Sequence, residues 1–124
     1  MGKLGEELLI VGITVRGNLL PEKCNRYTSV ICEKIGMTLA HKASLYQYPL
    51  NGKGGNGFTF FFPITESFIT WDTWNDFGGA YLVIASCKSF YPQDVVTVLQ
   101  ELGLEVAEMK MIKLRLDAQH VTEL

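Results

Sequence analysis

With 124 residues, the chain has room for one domain around one buried core and not for two. A 48% hydrophobic and 19% charged composition, without a low-complexity or single-sign charged tract, excludes an intrinsically disordered chain. Its 11 Lys+Arg against 13 Asp+Glu leave a net charge of −2 and no phosphate-tracking surface, so the expected partner is a small molecule or another protein chain and not nucleic acid.

The start, Met1 to Glu7, has neither the basic head and cleavage site of a signal peptide nor the length of a membrane span. A cytoplasmic protein without a membrane partner is expected. Cys24, Cys32 and Cys87 form no CxxC and no even set, and His41 and His120 are the only histidines, so neither a disulfide framework nor a metal site is expected.

Leu8 to Val15 is short, β-branched and closed by Gly17-Asn18, which predicts a buried first strand. From Pro21, Cys24, Tyr27, Ile31 and Ile35 recur at helical spacing up to Gly36, predicting a helix whose two cysteines are small core residues. Met37 to Tyr48 alternates as a half-buried strand would, with His41 inside it as a structural residue. The glycine-rich run Asn51 to Gly57 is followed by the strand-like Phe58 to Phe62. A phosphate loop would open a helix there, so the run is read as a flexible hairpin loop. Ser67 to Trp74 predicts a further strand, Asn75 to Gly79 a turn, and Ala80 to Cys87 the next strand. A second helix from Pro92 to Gly103 buries Val95, Val98, Leu99 and Leu102, Leu104 to Leu116 closes the domain as a strand, and Asp117 to Leu124 are expected to fray.

Hairpin-length connections imply antiparallel neighbours. The expected class is α+β: a two-layer sandwich of a mainly antiparallel sheet with two helices on one face, in a single domain spanning 1–124. The aromatic density of residues 58–74 is high for an open sheet face, and a homodimer burying sheet against sheet is one way to cover it.

The chemistry-bearing stretch is Thr65-Glu66-Ser67-Phe68-Ile69-Thr70-Trp71-Asp72-Thr73-Trp74-Asn75-Asp76, followed by a strand ending at Cys87. In these residues the chain resembles the prokaryotic pyruvoyl-dependent S-adenosylmethionine decarboxylases. That family's pattern is a strand, Glu-Ser-His, an aliphatic and hydroxyl alternation, His-Thr-Trp-Pro-Glu, and a strand that ends in cysteine. The resemblance is sharp over residues 58–88, where the Ser67 to Cys87 separation matches.

The resemblance implies that Ser67 attacks the carbonyl of Glu66, so that the chain splits between them and Ser67 becomes a self-generated pyruvoyl cofactor. It further implies Cys87 as the proton donor in decarboxylation and Thr59 as a hydroxyl that assists self-cleavage. Asp76 would meet the ribose hydroxyls of the substrate, and Tyr48 would stack on its adenine. Asp72 stands where the family has a histidine used in processing, and Phe68 stands where it has the histidine after Glu-Ser. An aspartate with a raised pKa would have to act as the base. On a regular strand Ser67 and Asp72 point to opposite faces, so their cooperation needs a turn or bulge near Ser67.

The function implied is decarboxylation of S-adenosylmethionine for spermidine synthesis. Two alternatives stay open: a pyruvoyl decarboxylase of arginine or ornithine, and an unprocessed homologue acting as a binding or partner subunit.

Overall fold

A computed structural model of the chain describes residues 7–116. The elements are β1 (Glu7–Arg16), α1 (Pro21–Ile35), β2 (Ser44–Leu50), β3 (Lys53–Ile64), β4 (Ser67–Trp74), β5 (Gly79–Ser86), α2 (Pro92–Glu101) and β6 (Glu105–Arg115), with a single 3-10 turn at Asn75–Phe77. The six strands form one antiparallel sheet in the order β2-β3-β4-β5-β1-β6. This is the expected α+β sandwich.

One face of the sheet carries the core. Val11, Ile13 and Val15 of β1, Ile69 and Trp71 of β4, and Leu82 and Ile84 of β5 alternate with less buried neighbours, as the two-residue side-chain period requires. Against them pack Cys24, Tyr27, Ile31 and Ile35 of α1 and Val95, Val98 and Leu99 of α2. Each fully buried Ile or Leu here contributes about 1.5–3 kcal/mol relative to exposure. The buried Trp71 indole N–H donates to Thr28 Oγ1 at 2.7 Å, and Thr28 in turn donates to the Cys24 carbonyl, so α1 is fixed to β4 without an unpaired polar group.

Two segments differ from the sequence reading. Residues 37–43 are not part of a strand that runs from Met37: β2 begins only at Ser44, and His41 lies in a bend. The alternation there has another source, because Met37 is buried against Ser86 while Thr38 and Ala40 bond to the backbone at the end of β3, with an isolated bridge from Leu39 to Ile64.

The glycine-rich run is not a long flexible loop either. Only Asn51 and Gly52 form the turn, both with positive φ (51° and 74°) as a tight two-residue hairpin needs, and Lys53 to Gly57 already belong to β3. At Gly57 a side chain is excluded, because a Cβ would run into the Thr73 carbonyl. The predicted fraying of 117–124 lies outside the described residues.

Among the described residues, no helix covers the opposite face of the sheet. Register places Tyr46, Phe61, Tyr81, Ile112 and Leu114 there, each more than a third exposed, with Ile10, Phe68 and Val83 half-buried among them.

Candidate active site

β3 and β4 are joined by the two residues Thr65 and Glu66, and Ser67 is the first residue of β4, opposite Ile64. Two-residue hairpins fit the strand twist best when a central residue takes positive φ. Thr65 and Glu66 do not; the positive angle falls on Ser67, whose φ of 157° lies at the edge of the range that glycine alone enters freely. The Glu66–Ser67 peptide is therefore the irregular point of an otherwise regular hairpin.

This turn is held from both sides. Thr65 N–H donates to the Thr38 carbonyl at 2.9 Å, and Thr38 N–H donates to Glu66 Oε1 at 3.2 Å. Burial pushes the Glu66 carboxyl up, but hydrogen bonds from the Thr65 side chain and the Thr38 and Glu66 backbone, with the charge of Lys88, outweigh it and hold the group below its usual value. From the other side, Cys87 N–H donates to the Glu66 carbonyl oxygen at 3.0 Å. Ser67 itself pairs with Ser86, the residue before Cys87. The structure thus brings Glu66, Ser67 and Cys87 together.

Cys87 is half-buried beside a cavity of about 290 Å³ lined by Leu9, Phe90, Tyr91, Met111 and Lys113 among others. The other two thiols are different in kind. Burial pushes Cys24 up to about 12, and burial followed by the Glu66 charge pushes Cys32 up to about 11, which leaves both protonated core residues.

The remaining candidates gather elsewhere. Thr59 and Asp72 are direct partners across β3 and β4, on the face away from the helices. Thr59 Oγ1 donates to Asp72 Oδ1 at 3.1 Å, and the Tyr48 hydroxyl lies 2.8 Å from the same Oγ1, so the chain of donors runs Tyr48 to Thr59 to Asp72. The Tyr48 ring stacks on Trp74, with centroids 6.1 Å apart and planes within 8° of parallel. Asp76 accepts from the backbone N–H and side-chain amide of Asn56 at 3.2 and 3.3 Å, tying the 3-10 turn to β3.

β4 pairs with both neighbours without a register shift. Asp72 is therefore five residues from Ser67 along an extended strand, about 16 Å, and on the other face. One chain does not bring them together. The sequence reading also passed over Ser86, Lys88, Thr38 and Trp74, which surround the two clusters. Only Trp74 had a local signal, its place on the outer face of β4 opposite the glycines of β3.

Among the described residues no group of three or more His, Cys, Asp or Glu could hold a metal ion, and no helix is long and apolar enough to cross a membrane.

A family model described as S-adenosylmethionine decarboxylase matches residues 20–115. Among solved structures, the crystal structure of the adenosylmethionine decarboxylase from Aquifex aeolicus VF5 is similar at 15% identity, with 88% of each chain covered and a TM-score of 0.58, a likeness that speaks for the fold. Among the curated proteins none matches the chain.

Proposed function

We propose a function for this chain from one premise: it belongs to the S-adenosylmethionine decarboxylase family. It is a self-processing decarboxylase of S-adenosylmethionine that supplies spermidine synthesis, acting in the cytoplasm as a homodimer. Its cofactor is a pyruvoyl group made from Ser67.

The observation that carries this reading is the Cys87 N–H, 3.0 Å from the Glu66 carbonyl oxygen. When Ser67 Oγ adds to that carbonyl carbon, negative charge develops on the oxygen, where a fixed backbone donor stabilises it. The C–N bond then breaks, the nitrogen takes up a proton, and an ester joins Glu66 to Ser67. Removal of the Ser67 Cα proton expels the Glu66 carboxylate. Water then releases the nitrogen as ammonia and leaves a new carbonyl at residue 67.

The pyruvoyl carbonyl supplies an electron sink for the pair released when carbon dioxide leaves a bound amino acid. Cys87, next to this position, returns a proton to the substrate carbon. Asp76 meets the ribose hydroxyls and Tyr48 flanks the adenine, with Trp74 fixing the angle of its ring. Asp72 is the base of the elimination, aided by Thr59. A second copy laid over the open sheet face supplies Asp72, since Asp72 of the same chain lies about 16 Å from Ser67 along β4.

That separation also favours a second reading, an unprocessed homologue that binds the substrate without cleaving itself. Intact mass of the purified protein divides the two. Cleavage yields chains of residues 1–66 and 67–124, the second blocked at its start. A single uncut chain under native conditions leaves only the unprocessed homologue. Where cleavage occurs, carbon dioxide release from labelled S-adenosylmethionine, tested against arginine and ornithine, identifies the substrate.

A further inference from the structure

The donor that faces the Glu66 carbonyl belongs to the residue just past the end of β5, one step beyond the Ser67–Ser86 pair, where the β4–β5 ladder supports it from one side only. On the other side a side-chain clasp holds the chain. Ser86 is 1% exposed, and its Oγ accepts the Lys88 N–H at 2.9 Å while donating its own proton to the Lys88 carbonyl at 2.7 Å. A hydroxyl has one proton to give and lone pairs to receive, so this single group satisfies both backbone atoms of Lys88 and closes a bend around Cys87. The bend is anchored at a distance as well: Lys88 Nζ donates to the Gly36 carbonyl at 2.7 Å, at the residue that ends α1.

We infer that Ser86 is a positioning residue for self-cleavage: its buried hydroxyl closes the Ser86–Cys87–Lys88 bend that aims the Cys87 N–H at the Glu66 carbonyl, and Lys88 ties that bend to the end of α1. This rests on the self-processing reading. An alanine at 86 cannot hold the Lys88 N–H and carbonyl, so the bend loosens and the Cys87 N–H is aimed less tightly, held by the Ser67–Ser86 pair alone. The donor is then misdirected and not deleted. Deleting one such donor elsewhere costs about 10²–10³ in rate, so misdirecting it should cost about tenfold.

The test follows first-order cleavage of freshly translated chain by intact mass in the wild type, Ser86→Ala, Ser86→Thr and Lys88→Met, with the fold checked by circular dichroism. Ser86→Ala should slow cleavage about tenfold, Ser86→Thr should return it to within about threefold of wild type, and Lys88→Met should slow it about threefold. Hydroxylamine, which cuts the ester, should trap less of it in folded Ser86→Ala. A merely structural role for Ser86 would leave that fraction unchanged.

Amide exchange of Cys87 should quicken in Ser86→Ala whether or not the chain cleaves. Wild-type protein that stays uncut overturns the self-processing reading and this inference with it. Wild-type protein that cleaves while folded Ser86→Ala matches its rate overturns this inference alone. Should Ser86→Ala fail to fold, folded Ser86→Cys decides, since a thiol is only a weak donor and acceptor: slower cleavage supports the clasp and an unchanged rate overturns it.

Discussion

The two clusters of candidate residues lie at different places along β4 and are built by different means. Around Glu66–Ser67 the bonds are made largely by backbone groups: Thr65 and Thr38 on one side, and Cys87 with its Ser86 clasp on the other. Around Asp72 they run from side chain to side chain, through Tyr48 and Thr59 on an open face. A backbone-built site tolerates sequence change wherever the fold is kept. A side-chain relay depends on each identity. Phe68 and Asp72, where the chain departs from the family pattern, are side-chain changes, while the Glu66 carbonyl has a backbone donor in the Cys87 N–H.

The sharpest way to break this contrast is to remove the nucleophile. Ser67→Ala should abolish cleavage outright while circular dichroism and thermal unfolding stay near wild type, because the turn is held by backbone bonds that alanine leaves intact. A variant that still splits between residues 66 and 67 would put the chemistry elsewhere.

The next largest effect concerns Asp72. Asp72→Asn should slow cleavage by about 10²-fold or more, within the range of positioned acid–base groups. Mixing it with Ser67→Ala should restore cleavage of the Asp72→Asn chain, since a mixed dimer holds one intact Ser67 and one intact Asp72 that meet across the interface. Failure of the mixture, when each variant is shown to exchange subunits, would return the site to a single chain.

Two stability measurements sharpen the comparison further. Gly57→Ala should cost about 2–3 kcal/mol in urea unfolding, because its Cβ would drive β3 away from the Thr73 carbonyl and disturb the strand pair that carries Thr59 and Asp72. Thr59→Val should cost about 1 kcal/mol by cutting the relay from Tyr48 to Asp72. An effect of Thr59→Val on Glu66–Ser67 stability as large as that of Gly57→Ala would show the clusters to be coupled.

The order of elements was legible because alternation and helical spacing report burial directly. β4 runs from Ser67 to Trp74 as its pattern predicts. Period-two parity alone puts Ser67 and Asp72 on opposite faces, and the unbroken register of β4 keeps them apart. Met37 misled because it is buried in the core without any ladder, and Leu39 because, exposed, it makes only an isolated bridge to Ile64. Lys53 to Gly57 misled because glycine has low strand propensity; the Asn51-Gly52 pair was the better signal for where the turn sits. The Ser86 and Lys88 clasp had no local signal, since it joins the end of β5 to the end of α1 across the fold.

The smallest effect, and the one that isolates the backbone-built cluster, comes from Glu66. Its carboxyl is held below the usual value in the folded chain, so it binds its proton less readily there than when unfolded. A group of this kind supports the fold above its unfolded pKa, and that support is lost as pH falls through the folded value. Acidification through the lower carboxylate range should therefore weaken the Thr38 N–H to Glu66 bond and quicken exchange of the Thr38 amide, while amides of β1, paired on both sides by β5 and β6, stay protected. Glu66→Gln should flatten that pH response and leave Cys87 N–H bonded to the carbonyl of residue 66, because the acceptor there is backbone. If Glu66→Gln instead loosened the Cys87 amide as much as the Thr38 amide, the two sides of the turn would act as one unit, and the carboxylate would share in aiming the scissile carbonyl.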